Sequence, residues 1–212
     1  MKRDNRSSLD GSEVEGAPAR SNRDKILDAT VQVAIRDGVM AMTLDAVAQE
    51  AGVSKGGLLY HFRSKDDLIA AMLVHFSTKV KGQLDEKIAS DPKPRGRFIR
   101  AMVETVFPRG RAGDTRASTP SETSRFFMAI VATAANNPRL LDPIRRNAKQ
   151  MRELLAAEGP NGLRQMALRA AIDGLMLWEH LGLISQDDPL YPSILDELLT
   201  LAEGPDPSVN RE

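Results

Sequence analysis

The stretch GVSKGGLLYHFRSK, Gly52 to Lys65, decides how this chain of 212 residues is interpreted. Its first five residues match G-x-S-x-G, in which a strained turn between a strand and a helix presents a nucleophilic serine above a sheet. The preceding residues, TLDAVAQEA, instead space apolar groups at helical intervals with charges between them. Because no buried strand leads into Ser54, the pattern does not predict a hydrolase. The serine is predicted to cap a helix, where it accepts a hydrogen bond from a free backbone N–H.

The residues around Gly52 predict two short helices that meet at a steep angle. Such a corner favours glycine in the turn and a small residue where the helices approach most closely, and Gly52 and Ala48 occupy these positions. The stretch is therefore predicted to be a helix-turn-helix, with its second helix from about Ser54 to Phe62. The apolar residues predicted to fill the inside of the angle are Val47, Ala51, Val53 and Leu58.

The composition sets few limits on function. Lys+Arg and Asp+Glu both total 29, so the net charge gives no case for a polyanionic partner, and any such case depends on where the charges lie. The absence of cysteine excludes disulfides and thiolate zinc sites, and it fits a reducing compartment such as the cytoplasm. No apolar run approaches the roughly 18 residues needed to cross a bilayer. The N-terminal segment also lacks the apolar region of a signal peptide.

Apolar residues recur at helical spacing from Ser21 onward, and no segment alternates at period two for long enough to predict a strand. The predicted fold is therefore all-α, with about nine helices. Ser21, Thr43 and Ser64 are each placed to cap one of the first helices. The later helices are predicted near Arg97 to Phe107, Ser121 to Ala135, Arg139 to Glu158, Gly162 to Leu183 and Tyr191 to Glu203.

Two domains are expected from this pattern: a three-helix N-terminal domain at residues 21–66 and a helical C-terminal domain at residues 67–203. The mixed polar composition at both ends predicts disordered tails at residues 1–20 and 204–212. Glycines, small polar residues and basic charges predict a mobile loop from Pro108 to Pro120.

The motifs in residues 23–72 resemble the DNA-binding domain of the tetracycline-repressor (TetR) family of bacterial transcriptional regulators. Beyond these residues, only the length and the helical pattern agree. The resemblance implies a homodimeric regulator, a repressor that binds double-stranded operator DNA and is released by a small-molecule effector. It rests on Asp37-Gly38, Thr43-Leu44 with Val47-Ala48, the corner Ala51-Gly52-Val53-Ser54, and His61-Phe62 followed by Ser64-Lys65 and Leu68.

The resemblance makes the helix after the corner a recognition helix, which enters the major groove by its N-terminal half. Lys55 is the first candidate for a base contact, most naturally to guanine, and contact with phosphate or solvent is the alternative. Gly56 and Gly57 weaken a helix, which either close approach to DNA or a loosely formed first turn would explain. The predicted DNA-binding residues are Thr43, Ser54, Lys55, Gly56, Gly57, Tyr60, His61 and Lys65.

Four of these residues are candidates for contacts with the DNA backbone. Thr43 and Lys65 begin helices, where backbone N–H groups and the helix dipole attract phosphate. Tyr60 can stack on a sugar or bond a phosphate, and His61 can donate to phosphate or satisfy the protein core. The chain departs from the family at Leu59, where many members carry tyrosine, so the usual tyrosine–phosphate contact cannot be assigned there.

Small residues at helical spacing in LRQMALRAAIDGLMLWEHLGLI would let a second helix approach closely. By resemblance, this helix and the last one form a four-helix interface between two copies, and packing within one copy is the alternative. Two copies would also read more base pairs than one small domain can. The predicted interface residues are Ala167, Ala170, Ala171, Gly174, Trp178, Leu195 and Leu198.

The resemblance also implies an effector cavity among the middle helices, and a filled core is the alternative. No pair of histidines or carboxylates has convincing metal spacing, so neither a metal nor a cofactor is expected. Two other classes stay open at this point: a helical enzyme that uses the C-terminal cavity, and a DNA-binding protein without a ligand. The predicted cavity residues are Phe98, Met102, Phe107, Phe126, Phe127, Ile130 and Met151.

Overall fold

A computed structural model describes residues 21–108, 120–157 and 159–204. Within these residues the secondary structure is helical, with no strand, and the all-α fold class is confirmed. The predicted tails and the Pro108–Pro120 loop lie outside the described residues, except for Pro108, Pro120 and Gly204. The helices are α1 Asn22–Asp37, α2 Leu44–Ala51, α3 Lys55–His61, α4 Lys65–Ser90, α5 Arg97–Val106, α6 Glu122–Asn136, α7 Asp142–Ala157, α8 Pro160–His180 and α9 Leu190–Glu203, with a 3₁₀ helix at Pro138–Leu141.

The first four helices each begin at a hydroxyl side chain. In every case the oxygen accepts a hydrogen bond from the backbone N–H three residues later, which satisfies one of the free donors of the first turn. The four predicted caps are therefore confirmed, and each start is fixed by residues next to it in the chain. The bonds are Ser21 to Asp24 N at 3.1 Å, Thr43 to Ala46 N at 3.1 Å, Ser54 to Gly57 N at 3.1 Å and Ser64 to Asp67 N at 3.0 Å.

The corner between α2 and α3 has the geometry of a Schellman motif. Gly52 is left-handed, with φ 66° and ψ 33°, and its N–H donates to the carbonyl of Gln49 at 3.2 Å. The N–H of Val53 donates to the carbonyl of Ala48 at 3.0 Å, which completes the pair of bonds that closes such helix ends. Glycine adopts this backbone conformation without the steric cost of a Cβ. The predicted helix-turn-helix is therefore present, with Val47 and Leu58 fully buried inside its angle.

Two hydrophobic clusters hold the helices together. The N-terminal cluster joins α1, α2, α3, the first half of α4, α6 and the 3₁₀ helix, and it includes a stacked pair, Phe76 and Phe126, with ring centroids 3.9 Å apart. The C-terminal cluster joins α5, α8 and α9 around Ile99, Ile172 and Leu195. The helix α4 thus begins in the core that also supports the helix-turn-helix. The expected boundary at residues 66 and 67 stays a prediction.

The start of α5 is held by close packing against α9. Gly96 has φ 70°, and a Cβ placed there would lie 3.1 Å from the backbone carbonyl carbon of Ala202. Nearby, Arg100 donates to Asp91 at 2.7 Å and to the carbonyl of Lys93 at 2.7 Å. The bond from Arg100, helped by the backbone N–H of Lys93, holds the pKa of Asp91 below its ordinary value. These contacts fix the turn between α4 and α5.

Candidate nucleic-acid interface

The short helix α3 buries one face and presents the other to solvent. Leu58 is fully buried and Phe62, just after the helix, is 4% exposed, so these two side chains anchor α3 in the N-terminal cluster. Tyr60 is 87% exposed and Leu59 is 39% exposed. The predicted contacts Ser54, Lys55, Gly56 and His61 are also exposed, and Gly57 is half-buried. A seven-residue helix held by two buried anchors can therefore offer its outer face to a groove.

The two residues predicted to contact phosphate, Thr43 and Lys65, are brought to the same loop. Thr43 is exposed and uses its hydroxyl to cap α2. Lys65, the first residue of α4, donates from Nζ to the carbonyl of Met40 at 2.8 Å, three residues before Thr43. Backbone N–H groups at the starts of α2 and α4 add partial positive charge. The loop before α2 and the start of α4 can therefore hold neighbouring phosphates.

Lys55, the predicted base contact, is paired with an acid from the preceding helix. Its Nζ lies 2.9 Å from Asp45 Oδ2, and both side chains are more than half exposed. No acid occurs in the sequence from Lys55 to Lys65, but the fold returns Asp45, ten residues before Lys55, to the start of α3. An exposed ion pair of this kind contributes about 0–1 kcal/mol. The Lys55 ammonium can therefore leave Asp45 to donate to a base edge, or it can donate to both at once.

Two other acids of this region are held away from α3. Arg36 at the end of α1 bonds Asp37 at 2.9 Å and Glu50 at 2.8 Å. The bond from Arg36 lowers the pKa of Asp37, and the same guanidinium pairs with Glu50. The charge that Lys55, Arg63 and Lys65 present is therefore opposed locally by Asp45 and by the acids that start α4.

The predicted cavity residues divide between the two hydrophobic clusters. Met102 and Phe107 are buried in the C-terminal cluster, and Phe98 and Phe127 pack against it. Phe126 is buried in the N-terminal cluster, and Ile130 packs against that cluster. Met151 on α7 is 40% exposed. The seven residues are not brought together around one space.

A cluster of polar side chains that the sequence interpretation missed lies where α6, α8 and α9 meet. Ser124 is fully buried, and its hydroxyl lies 3.5 Å from His180 Nδ1, which also approaches the carbonyl of Met176 at 2.9 Å. Tyr191 is 6% exposed, and burial together with the Glu179 carboxylate raises its pKa above the ordinary value. Polar groups in an apolar setting suit the orientation of a small molecule. The residues of this cluster are spread over the 68 positions from Ser124 to Tyr191, so no local sequence pattern predicts that they lie together.

One face of α8 is apolar and open. Leu163, Ala167, Ala170, Gly174 and Trp178 follow one another at intervals of three and four residues, and Trp178 is 53% exposed. Ala171, also predicted for the interface, is exposed beside this face. Leu195 and Leu198 of α9 point the other way, into the C-terminal cluster of their own protomer. The exposed apolar residues near α9 are Leu181, Leu183, Leu190 and Leu201.

Other types of site have little support in residues 21–108, 120–157 and 159–204. No group of three or more His, Cys, Asp or Glu side chains there could hold a metal ion. In the same part of the chain, no helix is both long and apolar enough to cross a bilayer.

The fold and this interface define a helix-turn-helix DNA-binding protein. Residues 26–72 match the family model of bacterial regulatory proteins of the tetR family, and residues 96–203 match the tetracyclin repressor-like C-terminal domain. The chain belongs to the TetR family of transcriptional regulators and is a DNA-binding transcriptional regulator. Members of this family are regulators rather than enzymes.

Relatives of known sequence and structure agree with this assignment. The HTH-type transcriptional regulator BetI of Burkholderia lata is 28% identical over 154 residues, which cover 72% of this chain and 75% of BetI. A transcriptional regulator from Rhodococcus sp. Rha1 superposes with a TM-score of 0.65 at 26% identity, over 87% of this chain and 95% of that one. The multidrug binding protein EbrR, in a complex with imidazole, superposes with a TM-score of 0.58 at 27% identity. The superposition covers 89% of this chain and 99% of the EbrR chain.

Proposed function

We propose that this chain is a homodimeric cytoplasmic repressor that binds an operator through α3 and leaves it when a small molecule binds the C-terminal helices. The observation that carries the proposal is the exposed outer face of α3, held by buried Leu58 and followed within four residues by Lys65 at the start of α4. Base contacts then come from α3, and phosphate contacts come from the starts of α2 and α4.

The roles of the candidate residues follow from their positions. Lys55, at the start of α3, reads a base edge with the donors that Asp45 leaves free. The Tyr60 hydroxyl and His61, exposed further along α3, contact phosphate. Thr43 and Lys65 hold phosphates on either side of the loop that contains Met40. Ser54 acts by capping α3, so its hydroxyl orients the helix rather than reacting.

Dimerisation uses the open face of α8. The small residues Ala167, Ala170 and Gly174 let a second helix approach, and Trp178 and Leu181 add apolar area at the end of the face. Contiguous exposed apolar surface of this kind commonly marks an interface. Leu190 and Leu201 extend it beside α9. Two copies related by a two-fold axis would then present two α3 helices to two half-sites.

The dimer is tested by placing a charge on the open face. Ala170→Glu is expected to give a monomer in sedimentation equilibrium and to lose operator affinity. The reason is that dimerisation would bury the new carboxylate against α8 of the second protomer. Ala135→Glu, at an exposed position on α6, is the matched control and leaves both properties unchanged. A dimer that persists in Ala170→Glu would contradict this interface.

The effector site is assigned to the junction of α5, α6, α8 and α9. There Phe107 packs edge-on against Tyr191 with centroids 6.0 Å apart, and Ser124, Glu179 and His180 supply polar groups. The related EbrR structures are complexes with imidazole or ethidium, which supports a small-molecule effector for this chain. An effector shifts DNA binding only by its difference in affinity between the two states of the dimer.

The helix α4 connects this junction to the DNA. Its 26 residues extend about 39 Å, from the N-cap Ser64 beside the helix-turn-helix to contacts with α5 and α7. A change at α5 or α6 can therefore alter the separation of the two α3 helices.

The function is tested by selecting bound fragments from genomic DNA with the purified full chain. A short, two-fold symmetric sequence is expected to emerge, and fluorescence anisotropy measures its affinity. A chain that showed no preference for any duplex, even at low salt, would overturn the proposal. Small molecules that raise the melting temperature are then tested for release of the operator.

A further inference from the structure

Three residues of α3 form an apolar notch on its exposed face. Gly56 precedes Leu59 and Tyr60 by three and four positions, so the three residues are neighbours on one side of the helix. Leu59 and Tyr60 are among the exposed large apolar residues of the chain. Between them Gly56 carries no side chain, which leaves a gap on the helix surface. We call these three residues the α3 notch.

The packing of the protein does not require glycine at position 56. A Cβ there would meet only Ser54 Oγ, at 4.0 Å, and the backbone is not left-handed. This differs from Gly52, whose φ is positive, and from Gly96, where a Cβ would press on α9. Glycine is the least favourable residue after proline in a helix. The gap at Gly56 is therefore open to whatever α3 contacts.

The apolar walls of the notch select one feature of the major groove. Three of the four bases present only hydrogen-bonding groups there, whereas thymine also presents its C5-methyl group. A charged or amide side chain would seek the polar edges, which is the role proposed for Lys55 next to the notch. Leu59 and the Tyr60 ring offer apolar surface instead, and the gap at Gly56 gives the room that a methyl group needs.

We infer that the α3 notch receives the C5-methyl group of one thymine in each half-site, so that Leu59 and Gly56 determine specificity beside Lys55. This inference rests on the proposed entry of α3 into the major groove. Burying one methyl group changes affinity about fourfold, equivalent to about 0.8 kcal/mol. A symmetric operator with two such thymines would gain about fifteenfold.

The test removes only that methyl group from the DNA. In the selected operator, each thymine is replaced in turn by deoxyuridine, which pairs identically but lacks the C5-methyl, and affinity for the full-length dimer is measured by anisotropy. One position per half-site is expected to weaken binding about fourfold, and the symmetric pair about fifteenfold. The other positions change little.

Protein variants locate the effect at the notch. Leu59→Ala removes one wall and Gly56→Ala fills the gap, so both are expected to bind the thymine and deoxyuridine operators almost equally. Gly82→Ala, on an exposed stretch of α4 where a Cβ meets nothing within 4 Å, is the matched control and keeps the fourfold preference. Circular dichroism and melting temperature verify that each variant is folded.

The outcomes separate this inference from the function on which it rests. A wild-type dimer that binds its operator tightly but is indifferent to every deoxyuridine overturns the notch and leaves the regulator intact. A fourfold preference that survives in both Leu59→Ala and Gly56→Ala also overturns it, because the methyl group would then be read elsewhere. Failure to select any DNA would instead contradict the proposed function itself.

Discussion

The helices of the two hydrophobic clusters begin in different ways. In the N-terminal cluster, α1 to α4 start at Ser or Thr side chains that bond their own first turns. In the C-terminal cluster, α5 and α8 start at Gly96 and Gly159 without a side-chain cap bond. The helix α9 starts at Pro189, whose side chain cannot cap it, and the Asp188 carboxylate accepts from the Leu190 N–H at 2.8 Å. The DNA-reading part is therefore positioned by a local cap at every helix, and the starts of α5 and α8 depend on packing between distant segments. Five experiments with substituted chains test the two parts.

The largest effect is expected at the buried side of α3, a helix that has both a local cap and a buried side chain in the N-terminal cluster. Leu58→Ala removes a fully buried side chain from the N-terminal cluster and should lower the free energy of unfolding by about 2–5 kcal/mol. Leu59→Ala, at the next position, should change it little. Urea denaturation followed by circular dichroism measures both. Equal losses would contradict the assignment of the two faces of α3.

Gly96→Ala tests the packing that starts α5. The left-handed backbone costs about 1–2 kcal/mol for alanine, and the Cβ would press on the Ala202 backbone 3.1 Å away, so we expect a loss of about 2–4 kcal/mol in all. Gly52→Ala carries the same backbone strain but meets no atom within 4 Å, and should lose only about 1–2 kcal/mol. Thermal melts of the two variants compare them. Similar losses would show that the contact between α5 and α9 is unimportant.

Two lysines of the reading surface should separate specificity from affinity. Lys55→Ala is expected to lower discrimination between operator and random DNA by about 1–3 kcal/mol, because a base contact is lost. Lys65→Ala should weaken binding to all duplexes alike and reduce the dependence of affinity on salt concentration, because a phosphate contact is lost. Anisotropy titrations over a series of salt concentrations measure both quantities. The same change in specificity for both variants would defeat these roles.

Ser54→Ala tests the local signal alone. Losing the bond to the Gly57 N–H should cost roughly 1 kcal/mol of stability, with no hydrolytic activity to lose. Ser54→Asp keeps an acceptor at the cap and should restore that stability. Denaturation curves of the two variants decide the matter, and an acyl-enzyme formed at Ser54 would revive the hydrolase interpretation.

The smallest expected effect is a change in the pH dependence of folding stability, caused by the ion pair at the turn before α5. Arg100 holds the pKa of Asp91 below its ordinary value in the folded state. The ion pair therefore contributes stability above the ordinary pKa, and this contribution is lost as the pH falls through the lowered one. Asp91→Asn should make stability less dependent on pH below the ordinary carboxyl pKa of about 4. Denaturation at several pH values tests this, and an unchanged slope would contradict it.

Sequence reasoning reached further in the N-terminal part than in the C-terminal part, and the contrast in helix starts explains why. A cap such as Ser54 lies three residues from its donor, so the chain shows both partners together. The pairing of Lys55 with Asp45 depends on the angle between two helices, which the sequence did not give. Periodicity predicted the last helix but did not show that Leu195 and Leu198 face their own core. The roles of these residues in binding stay predictions.

The stack of Phe76 on Phe126 has a practical consequence for anyone who recombines regulators of this kind. A chimera spliced after α4 would separate Phe76 from the aromatic partner that α6 provides. The transplanted part would then expose the apolar side of α4 to a foreign surface that has not been shaped to fit it. A graft that carries α6 and the 3₁₀ helix along with the first four helices would keep this core whole.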